Sequence, residues 1–471
     1  MYLKRKKITQ LLIASGVLLG SNFAFANDND ELEKLRTLVQ ELDQKVRVLD
    51  RKSELAAEEA VAKKKETPVL VASDKGFALE SADKKFQFKL SGLLQADQRT
   101  FLDDDTTTGV AGGNLNDEYL LRRVRPTFSG TLFGIYDFRF TPDFAPNTPN
   151  VQDAFINARF TPWFKVQAGK FKVPGSLERL QSGGDIRFVE RSYVANAILP
   201  NRDTGVQLHG DVLNGKLTYA AGIFDGQADG GSSGTSGSNN GDSNKDKEYA
   251  LRVFAEPFKG SDTIFDGLGL GIAGTTGDFS KTAGSLANTN YRSAGQQTIF
   301  QYAADVLGDG QQTRISPQFY YYYGPFGVIG EYAKSSLDAK RGSNEATLDN
   351  DAWQIAATYV LTGENNSFKS IAPKRDFDLE KGGWGAWEIA ARYSELNLDS
   401  RAFTGAAGVR FANAASTTKS AESWALGLNW YLNKNVKIQT TYEQTKFESA
   451  LVNVRDRADE KALFTRFQVA F

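Results

Sequence analysis

The feature that most constrains this sequence is an alternation of apolar and polar residues that continues from Phe86 to Phe471. In the segment from Trp353 to Tyr359, for example, Trp, Ile, Ala and Tyr alternate with Gln, Ala and Thr. A period of two gives a β-strand one apolar face and one polar face. Several segments begin or end their apolar face with Trp or Tyr, which is typical of strands that cross a membrane with lipid outside and water inside.

Sixteen such segments are predicted, and an even number suits an antiparallel barrel whose first and last strands pair. Such a barrel encloses a water-filled lumen, whereas side chains fill a barrel of about eight strands. The sheet must close because an open edge in lipid would leave backbone groups without hydrogen-bond partners. The predicted strands begin near Phe86, Leu120, Tyr136, Gln152, Phe164, Gly205, Leu217, Tyr249, Leu268, Ser316, Phe326, Asp351, Ala386, Ser423, Val436 and Leu463.

The connections between these segments alternate between short and long, as expected for a barrel with tight turns at one end and large loops at the other. The pair Asn214-Gly215 predicts a tight hairpin turn. Residues 362–384 break the alternation, so either one periplasmic turn is unusually large or the strand count slips there. Long loops are predicted at 102–118, 173–203, 226–247, 277–312, 335–349, 397–421 and 447–461.

The N-terminal residues 1–26 predict a secretory signal peptide that is removed on export. A basic start precedes a short apolar core, and Ala24-Phe25-Ala26 supplies a small-x-small cleavage site. A membrane anchor is the alternative, but the apolar core is only about half of the ~20 residues that a spanning helix needs. Later segments also lack such an apolar run, so any insertion into a membrane must use strands.

Residues 27–55 predict a coiled-coil helix in the periplasm, because apolar residues recur there at spacings of three and four. The alternative is a single amphipathic helix that folds back on a core. The pattern does not decide between two and three associated helices. Residues 56–85 are predicted to be a flexible linker, and 86–471 the barrel. The apolar residues are Leu32, Leu35, Val39, Leu42, Val46 and Leu49.

The composition excludes several classes of function. The chain has no cysteine and a single histidine, His209, so thiol chemistry, thiolate metal sites and Ser-His-Asp catalysis are not expected. The 56 Lys and Arg residues are balanced by 57 Asp and Glu residues, which leaves no basic excess for binding nucleic acid. We therefore expect a protein that is not an enzyme and has no cofactor or metal, with an outer-membrane hydrolase as a third hypothesis.

Several strings of residues occur in order between 86 and 471, among them Arg122-Arg123-Val124-Arg125, Ala168-Gly169-Lys170-Phe171-Lys172, Arg202-Asp203-Thr204-Gly205 and Asn429-Trp430-Tyr431-Leu432-Asn433. As an ordered set, they resemble the phosphate-selective O/P porins of Gram-negative outer membranes. The resemblance implies a homotrimer of sixteen-stranded barrels, surrounded by outer-membrane lipid and lipopolysaccharide, that passes small anions such as phosphate.

In that family the third external loop folds into the lumen and narrows it, and the matching segment here is 170–203. This segment carries six Lys and Arg residues against four Asp and Glu residues. A positive constriction attracts anions, and the planar fork of arginine suits phosphate. The candidate residues for anion selectivity are Arg122, Arg123, Arg125, Lys170, Lys172, Arg179, Arg187, Arg191 and Arg202.

The arginines of the second predicted strand are split between its faces, with Arg123 and Arg125 on one face and Arg122 on the other. One of these faces should reach the lumen, because a charge that faces lipid at mid-bilayer costs ~2–4 kcal/mol. The most selective family members carry a ladder of arginines at alternate strand positions, whereas only pairs occur here. Two functions therefore stay open: an anion channel, and a general porin of low selectivity whose coiled coil ties the barrel to the periplasm or cell wall.

Overall fold

The structure, a computed structural model, describes most of the chain. The predicted signal peptide at 1–26 lies outside the described residues. The chain divides into two units, and the boundary in the sequence lies between Thr67 and Pro68. The described residues are 28–66, 68–102, 115–146, 149–233, 246–279, 286, 289–413, 418–450 and 456–471.

The N-terminal unit is one helix, α1, which spans Asp28–Glu66. No helix in the described part of the chain has the length and apolar character needed to span a membrane. Helix α1 is longer than the predicted 27–55, because the Ala, Glu and Lys residues that follow Leu55 are strong helix formers. The helix ends just before Pro68, since the residue that precedes a proline disfavours the helical conformation.

The predicted linker 56–85 is therefore corrected. Its first part belongs to α1, and its second part forms a hairpin of strands β1 (Val69–Ser73) and β2 (Gly76–Glu80). The valines and leucine of β1 favour a strand over a flexible coil. Strand β2 also pairs with the first strand of the barrel, from Phe77 opposite Leu90 to Glu80 opposite Gln87.

The remaining strands include sixteen that form one antiparallel barrel, and two, β12 and β13, that form a separate small hairpin. The strands are β3 (Gln87–Phe101), β4 (Glu118–Leu132), β5 (Tyr136–Asp143), β6 (Asn150–Thr161), β7 (Phe164–Lys172), β8 (Arg202–Val212), β9 (Leu217–Phe224), β10 (Glu248–Ala255), β11 (Leu268–Phe279), β12 (Asn290–Arg292), β13 (Thr298–Gln301), β14 (Leu307–Tyr323), β15 (Phe326–Arg341), β16 (Asn344–Val360), β17 (Ala386–Asn397), β18 (Thr418–Tyr431), β19 (Val436–Ser449) and β20 (Glu460–Ala470).

The barrel closes where β20 pairs with β3, from Ala462 opposite Phe101 to Ala470 opposite Leu93. Each predicted strand corresponds to one of the sixteen strands of the barrel, so the predicted fold is confirmed. The unusual connection 362–384 is a large turn between β16 and β17, and the strand count does not slip there.

One predicted loop is a pair of strands instead. Residues 335–349 were expected to be a long loop, but β15 and β16 continue through them to a tight turn at Gly342-Ser343. Leu337 and Leu348 face each other across this hairpin and are both buried, so packing against the interior extends the strands.

The outer surface of the barrel is apolar along its middle and aromatic near its ends, as a barrel surrounded by lipid requires. Exposed apolar side chains on the strands include Leu94, Ile156, Val206, Leu251, Ile272, Ile315, Ile355, Ile389, Leu426 and Phe467. Exposed aromatic side chains at strand ends or in adjoining turns include Tyr119, Trp163, Tyr249, Tyr323, Tyr359 and Trp384.

Part of the interior is a packed apolar core. A five-residue π-helical turn, Val194–Ile198, packs there against Phe300 of β13 and against Leu337 and Leu348. All of these apolar side chains belong to one buried cluster. Protein therefore fills part of the space that sixteen strands enclose.

Candidate functional site

The connection between β7 and β8, residues 173–201, lies inside the barrel, and we call it the inward loop. Arg187 of this loop pairs with Glu388 on β17 at 3.0 Å. The carbonyl of Gly184 accepts a hydrogen bond from Gln468 on β20 at 3.0 Å. Since β17 and β20 are far from β7 and β8 in the order of strands around the barrel, the inward loop crosses the lumen.

Two buried carboxylates hold the start of the inward loop. Glu331 on β15 accepts hydrogen bonds from the hydroxyl of Ser176 and from the backbone N–H groups of Leu177 (2.8 Å) and Glu178 (3.2 Å). These residues begin a short helix, α2 (Leu177–Leu180), whose first N–H groups have no partner within the helix. Glu178 in turn accepts hydrogen bonds from the backbone and the hydroxyl of Ser192, which ties the two ends of the loop together.

A β-bulge brings all three arginines of β4 into the interior. The register between β3 and β4 shifts so that Gln95 faces Arg123 and Ala96 faces Leu121, which leaves Arg122 as the extra residue. Arg122 therefore turns inward and binds Glu190 of the inward loop, with its Nε 2.7 Å from Oε1 and its Nη2 3.1 Å from Oε2. Regular alternation predicted that Arg122 would lie on the opposite face from Arg123, but the bulge places both side chains in the interior.

Seven of the nine predicted residues lie together where the inward loop meets β4, β7 and β8. Each of them is within electrostatic range of at least two others. We call this group the cationic cluster: Arg122, Arg123, Arg125, Lys172, Arg179, Arg191 and Arg202.

Three residues of the cationic cluster have a carboxylate partner. Besides the pair of Arg122 and Glu190, the Nε of Arg125 lies 2.7 Å from Asp143. The Nε of Arg202 lies 2.9 Å from Asp153. The charges of these three cations are thus compensated locally.

The other four residues of the cationic cluster donate their hydrogen bonds to neutral oxygen atoms. Among the residues that the structure describes, none of the four forms an ion pair. Arg123 donates to Gln95 Oε1, and Lys172 donates to the carbonyls of Leu180 (3.2 Å) and Gln181 (3.0 Å). Arg179 donates to the carbonyl of Ala195 and to Asn196 Oδ1 (3.1 Å). Arg191 donates to the carbonyls of Glu178 (3.2 Å) and Gln181 (2.9 Å). The cluster therefore has an excess of positive charge.

Two residues of the inward loop, Arg191 and Glu190, stay charged at neutral pH. Burial lowers the pKa of Arg191 to about 10, which still leaves its guanidinium protonated at pH 7. Burial alone would raise the pKa of Glu190, but the attraction of Arg122 and Arg466 outweighs it and holds that pKa below its ordinary value. The inward loop therefore carries charges of both signs at pH 7.

The structure places the other two predicted residues elsewhere. Lys170 lies beside Arg202, but its ammonium group donates to the carbonyl of Ser233 in the connection after β9. Arg187 pairs with Glu388 and also donates to carbonyls of the large turn 362–384. Arg187 therefore fixes the inward loop and is not part of the cationic cluster.

The large turn 362–384 reaches the inward loop from the other end of the barrel, which was not predicted. The side chain of Gln181 donates to the carbonyl of Phe368 at 2.7 Å, and the backbone N–H of Ser370 donates to Asp185 at 3.0 Å. The only signal in the sequence was the unexpected length of this turn. The carboxylates that neutralise part of the cluster were also missed as partners, because they come from β5 and β6.

The two sides of the lumen differ in how far the inward loop covers them. Inward side chains of β15–β20, such as Glu331, Arg392 and Glu443, are buried, and we call this side the covered wall. Some inward side chains of β5–β8, such as Arg139 and Gln207, keep part of their surface accessible, and we call this side the open wall. Polar groups line the open wall toward the end of the barrel with short turns, including ion pairs of Arg159 with Asp137 and of Lys165 with Asp211, both at 2.7 Å.

Comparisons with known proteins agree with this architecture. A sequence model of the family described as "Phosphate-selective porin O and P" matches residues 94–471. Porin O of Pseudomonas aeruginosa is 24% identical over 435 residues, which cover 86% of this chain and 92% of that protein. The outer-membrane channel DcaP of Acinetobacter baumannii has the same fold, with a TM-score of 0.50 at 10% identity over 85% of this chain and 99% of that one.

A second solved structure, OmpT of Vibrio cholerae, is similar with a TM-score of 0.48 and 12% identity over 82% of this chain and 98% of that chain. The family match covers well over half of the chain, including every barrel strand except the first residues of β3. Porins of this family form channels through the outer membrane. The resemblance drawn from the sequence is thus confirmed, and the chain belongs to the family of phosphate-selective porins O and P.

Proposed function

We propose that this porin is a passive channel for small anions, phosphate among them, and that the cationic cluster sets its selectivity. The observation that carries the proposal is that four cations of the cluster bind neutral oxygen atoms and, among the described residues, have no carboxylate partner. Uncompensated charge in a narrow, low-dielectric passage raises the local concentration of ions of the opposite sign. The passage runs between the inward loop and the open wall.

Two features of the cluster suit phosphate in particular. Arginine donates parallel hydrogen bonds in a plane, which matches two oxygen atoms of a phosphate group. Among the described residues, the buried Nε–H groups of Arg123 and Arg179 have no hydrogen-bond partner, so each lacks an acceptor that a phosphate oxygen would supply. The family description and the name of the relative support phosphate as the solute.

The proposal includes an assembly of three copies in the outer membrane, with the apolar outer surface in contact with lipid and lipopolysaccharide and with α1 in the periplasm. Its support is the family, whose resemblance implied a homotrimer, together with the band of exposed apolar side chains. The size of the detergent-solubilised protein, measured by light scattering, tests the number of copies.

A reversal potential across a planar bilayer in a KCl gradient tests the role of the cluster. We expect anion selectivity in the natural protein and a clear shift toward cations in Lys172→Gln and Arg191→Gln. The matched control is Lys165→Gln, because Lys165 lies on the same strand as Lys172 but is paired with Asp211. Cation selectivity in the natural protein, or equal shifts in Lys172→Gln and Lys165→Gln, would contradict the proposal.

Phosphate recognition is tested separately by adding inorganic phosphate to a channel that carries chloride current. If phosphate binds in the cluster, the chloride current falls in a saturable manner, and Arg179→Gln weakens the block. A current that is insensitive to phosphate would support the alternative of a general porin with low selectivity.

A further inference from the structure

Helix α1 carries an apolar surface that nothing in its own unit covers. The six apolar residues that recur at spacings of three and four, which we call the seam, are each between 51% and 65% exposed. The rest of the helix surface is charged or polar, apart from a few residues such as Leu38 and Val48. A continuous stripe with this spacing is the surface that coiled-coil helices bury against one another. The seam consists of Leu32, Leu35, Val39, Leu42, Val46 and Leu49.

The charges that flank the seam indicate which partner would cover it. With Leu32 in heptad position a, the g positions hold Glu31, Leu38 and Lys45, and the e positions hold Arg36, Asp43 and Asp50. In a parallel, in-register coiled coil, a g residue faces the e residue five positions later in the neighbouring helix. Glu31 then faces Arg36, and Lys45 faces Asp50, so both charged pairs are attractive.

The hydrogen bonds within α1 agree with this arrangement. Asp43 is already paired with Arg47 at 2.9 Å, and its facing residue in the parallel arrangement is the uncharged Leu38. In the part of α1 whose side chains the structure describes, the four residues that would pair between helices form no ion pair within their own helix. The four charges that a parallel neighbour would use are thus among those that no ion pair of α1 occupies.

We propose that α1 binds further copies of itself, parallel and in register, through the seam. An antiparallel arrangement centred on the same seam fits less well. It would pair Glu31 with Lys52, but it would place Lys45 opposite Leu38, leave Asp50 without a cation, and require Asp43, which Arg47 already neutralises. The resulting bundle would join copies of the porin outside the barrel, independently of the anion selectivity proposed above.

Cysteine crosslinking tests the proposal directly, because the natural chain contains no cysteine. Leu32→Cys and Leu49→Cys are introduced separately into the full chain, which is then treated in outer membranes with a short thiol crosslinker. We expect covalent oligomers from both variants. The matched control is Gln44→Cys at the outward f position, which should give at least about tenfold less product, since f residues of a coiled coil point away from the partner.

Two results would overturn the proposal. An absence of oligomers from both seam variants would show that another partner covers the seam, such as a periplasmic or cell-wall component. Oligomers that require Leu32→Cys and Leu49→Cys in the same mixture, and form from neither alone, would show an antiparallel arrangement. Unchanged single-channel conductance verifies that the barrel of each variant is folded.

A charge exchange tests the register. Glu31→Lys places two cations opposite each other and should lower the crosslinked fraction of Leu49→Cys by about twofold, the size expected for one pair of this kind. Adding Arg36→Glu restores the attraction and should restore the crosslinked fraction. Failure of the second change to restore what the first removes would contradict the in-register pairing.

Discussion

The buried cations on the covered wall and those facing the open wall of the barrel have different kinds of partner. On the covered wall, buried cations meet buried carboxylates: Arg466 forms two hydrogen bonds with Asp97, at 2.7 and 2.6 Å, and Arg392 lies 3.0 Å from Glu443. Where the inward loop faces the open wall, four cations of the cluster have neutral partners instead. Compensated charge holds the loop, and in the proposed function the uncompensated charge acts on the solute.

This difference supports the proposal that a wide barrel serves as a selective channel. Sixteen strands alone enclose a broad aqueous lumen. Here the inward loop and the apolar core around Val194–Ile198 occupy the side of the covered wall. In the proposed function, the passage therefore runs along the open wall, next to the cationic cluster. Substitutions in the two regions should consequently affect different properties, stability in one and ion preference in the other.

The largest effect is expected from breaking the buried pair of Arg466 and Asp97, whose side chains are both 0% exposed. Asp97→Asn leaves the guanidinium buried without its carboxylate, which costs roughly 3–5 kcal/mol. The temperature at which the folded barrel loses its compact mobility in a denaturing gel should fall markedly. The control is Asp137→Asn, because the pair of Asp137 and Arg159 is 30% and 42% exposed and such a pair contributes about 0–1 kcal/mol. Equal losses in the two variants would remove the distinction between buried and accessible ion pairs.

A smaller effect is expected at the start of the inward loop. Glu331→Gln keeps the shape of the side chain but removes the charge that accepts hydrogen bonds from Ser176, Leu177 and Glu178. A hydrogen bond to a charged group contributes about 1.5–3 kcal/mol, so the loop should loosen while the barrel stays closed. Single-channel recordings should then show a larger and noisier conductance. An unchanged conductance would mean that the covered wall holds the loop without Glu331.

The comparison also shows what the sequence could predict. The strands of both walls were predicted because alternation is a local property that each strand carries by itself. The inward position of Arg122 was not, because the bulge arises from the pairing of β4 with β3 and disturbs the period of two at a single residue. The extension of β15 and β16 through 335–349 was missed because polar residues there alternate with few apolar ones, and burial of Leu337 and Leu348 decides their structure.

The partners of the predicted cations lie beyond what a local pattern can show. Arg187 was predicted for the constriction from its type and its place in a long loop, but its carboxylate, Glu388, is far away in the sequence. The sequence does not distinguish a cation that will be neutralised in this way from Arg191, which donates to carbonyl groups of its own loop. Residue type therefore predicted a positive constriction, while tertiary contacts decide which charges remain available.

A modest effect is expected where the large turn 362–384 supports the inward loop. The side chain of Asn366 accepts a hydrogen bond from Arg187 at 3.2 Å and donates one to Thr358 at 2.7 Å. Asn366→Ala removes both, at about 0.5–1.5 kcal/mol each, and should increase fluctuations of the open current with little change in ion preference. Lys381→Ala is the control in the same turn, because Lys381 is 84% exposed and pairs only with nearby Asp378. If the open-current fluctuations are equally small in both variants, the turn does not stabilise the inward loop.

The last expected effect concerns Glu190 and is the change of stability with pH. Its pKa is lower in the folded barrel than in the unfolded chain, because the attraction of Arg122 and Arg466 outweighs burial. Its contribution to the free energy of unfolding is therefore fully present above the unfolded pKa of about 4.3 and is lost as the pH falls toward the folded value. Glu190→Gln cannot titrate, so the difference in stability between the natural protein and this variant should shrink from pH 6 to pH 3. A difference that stays constant over this range would mean that Glu190 binds its proton equally in the folded and unfolded states, and the link between the inward loop and the arginines of β4 would then not be electrostatic.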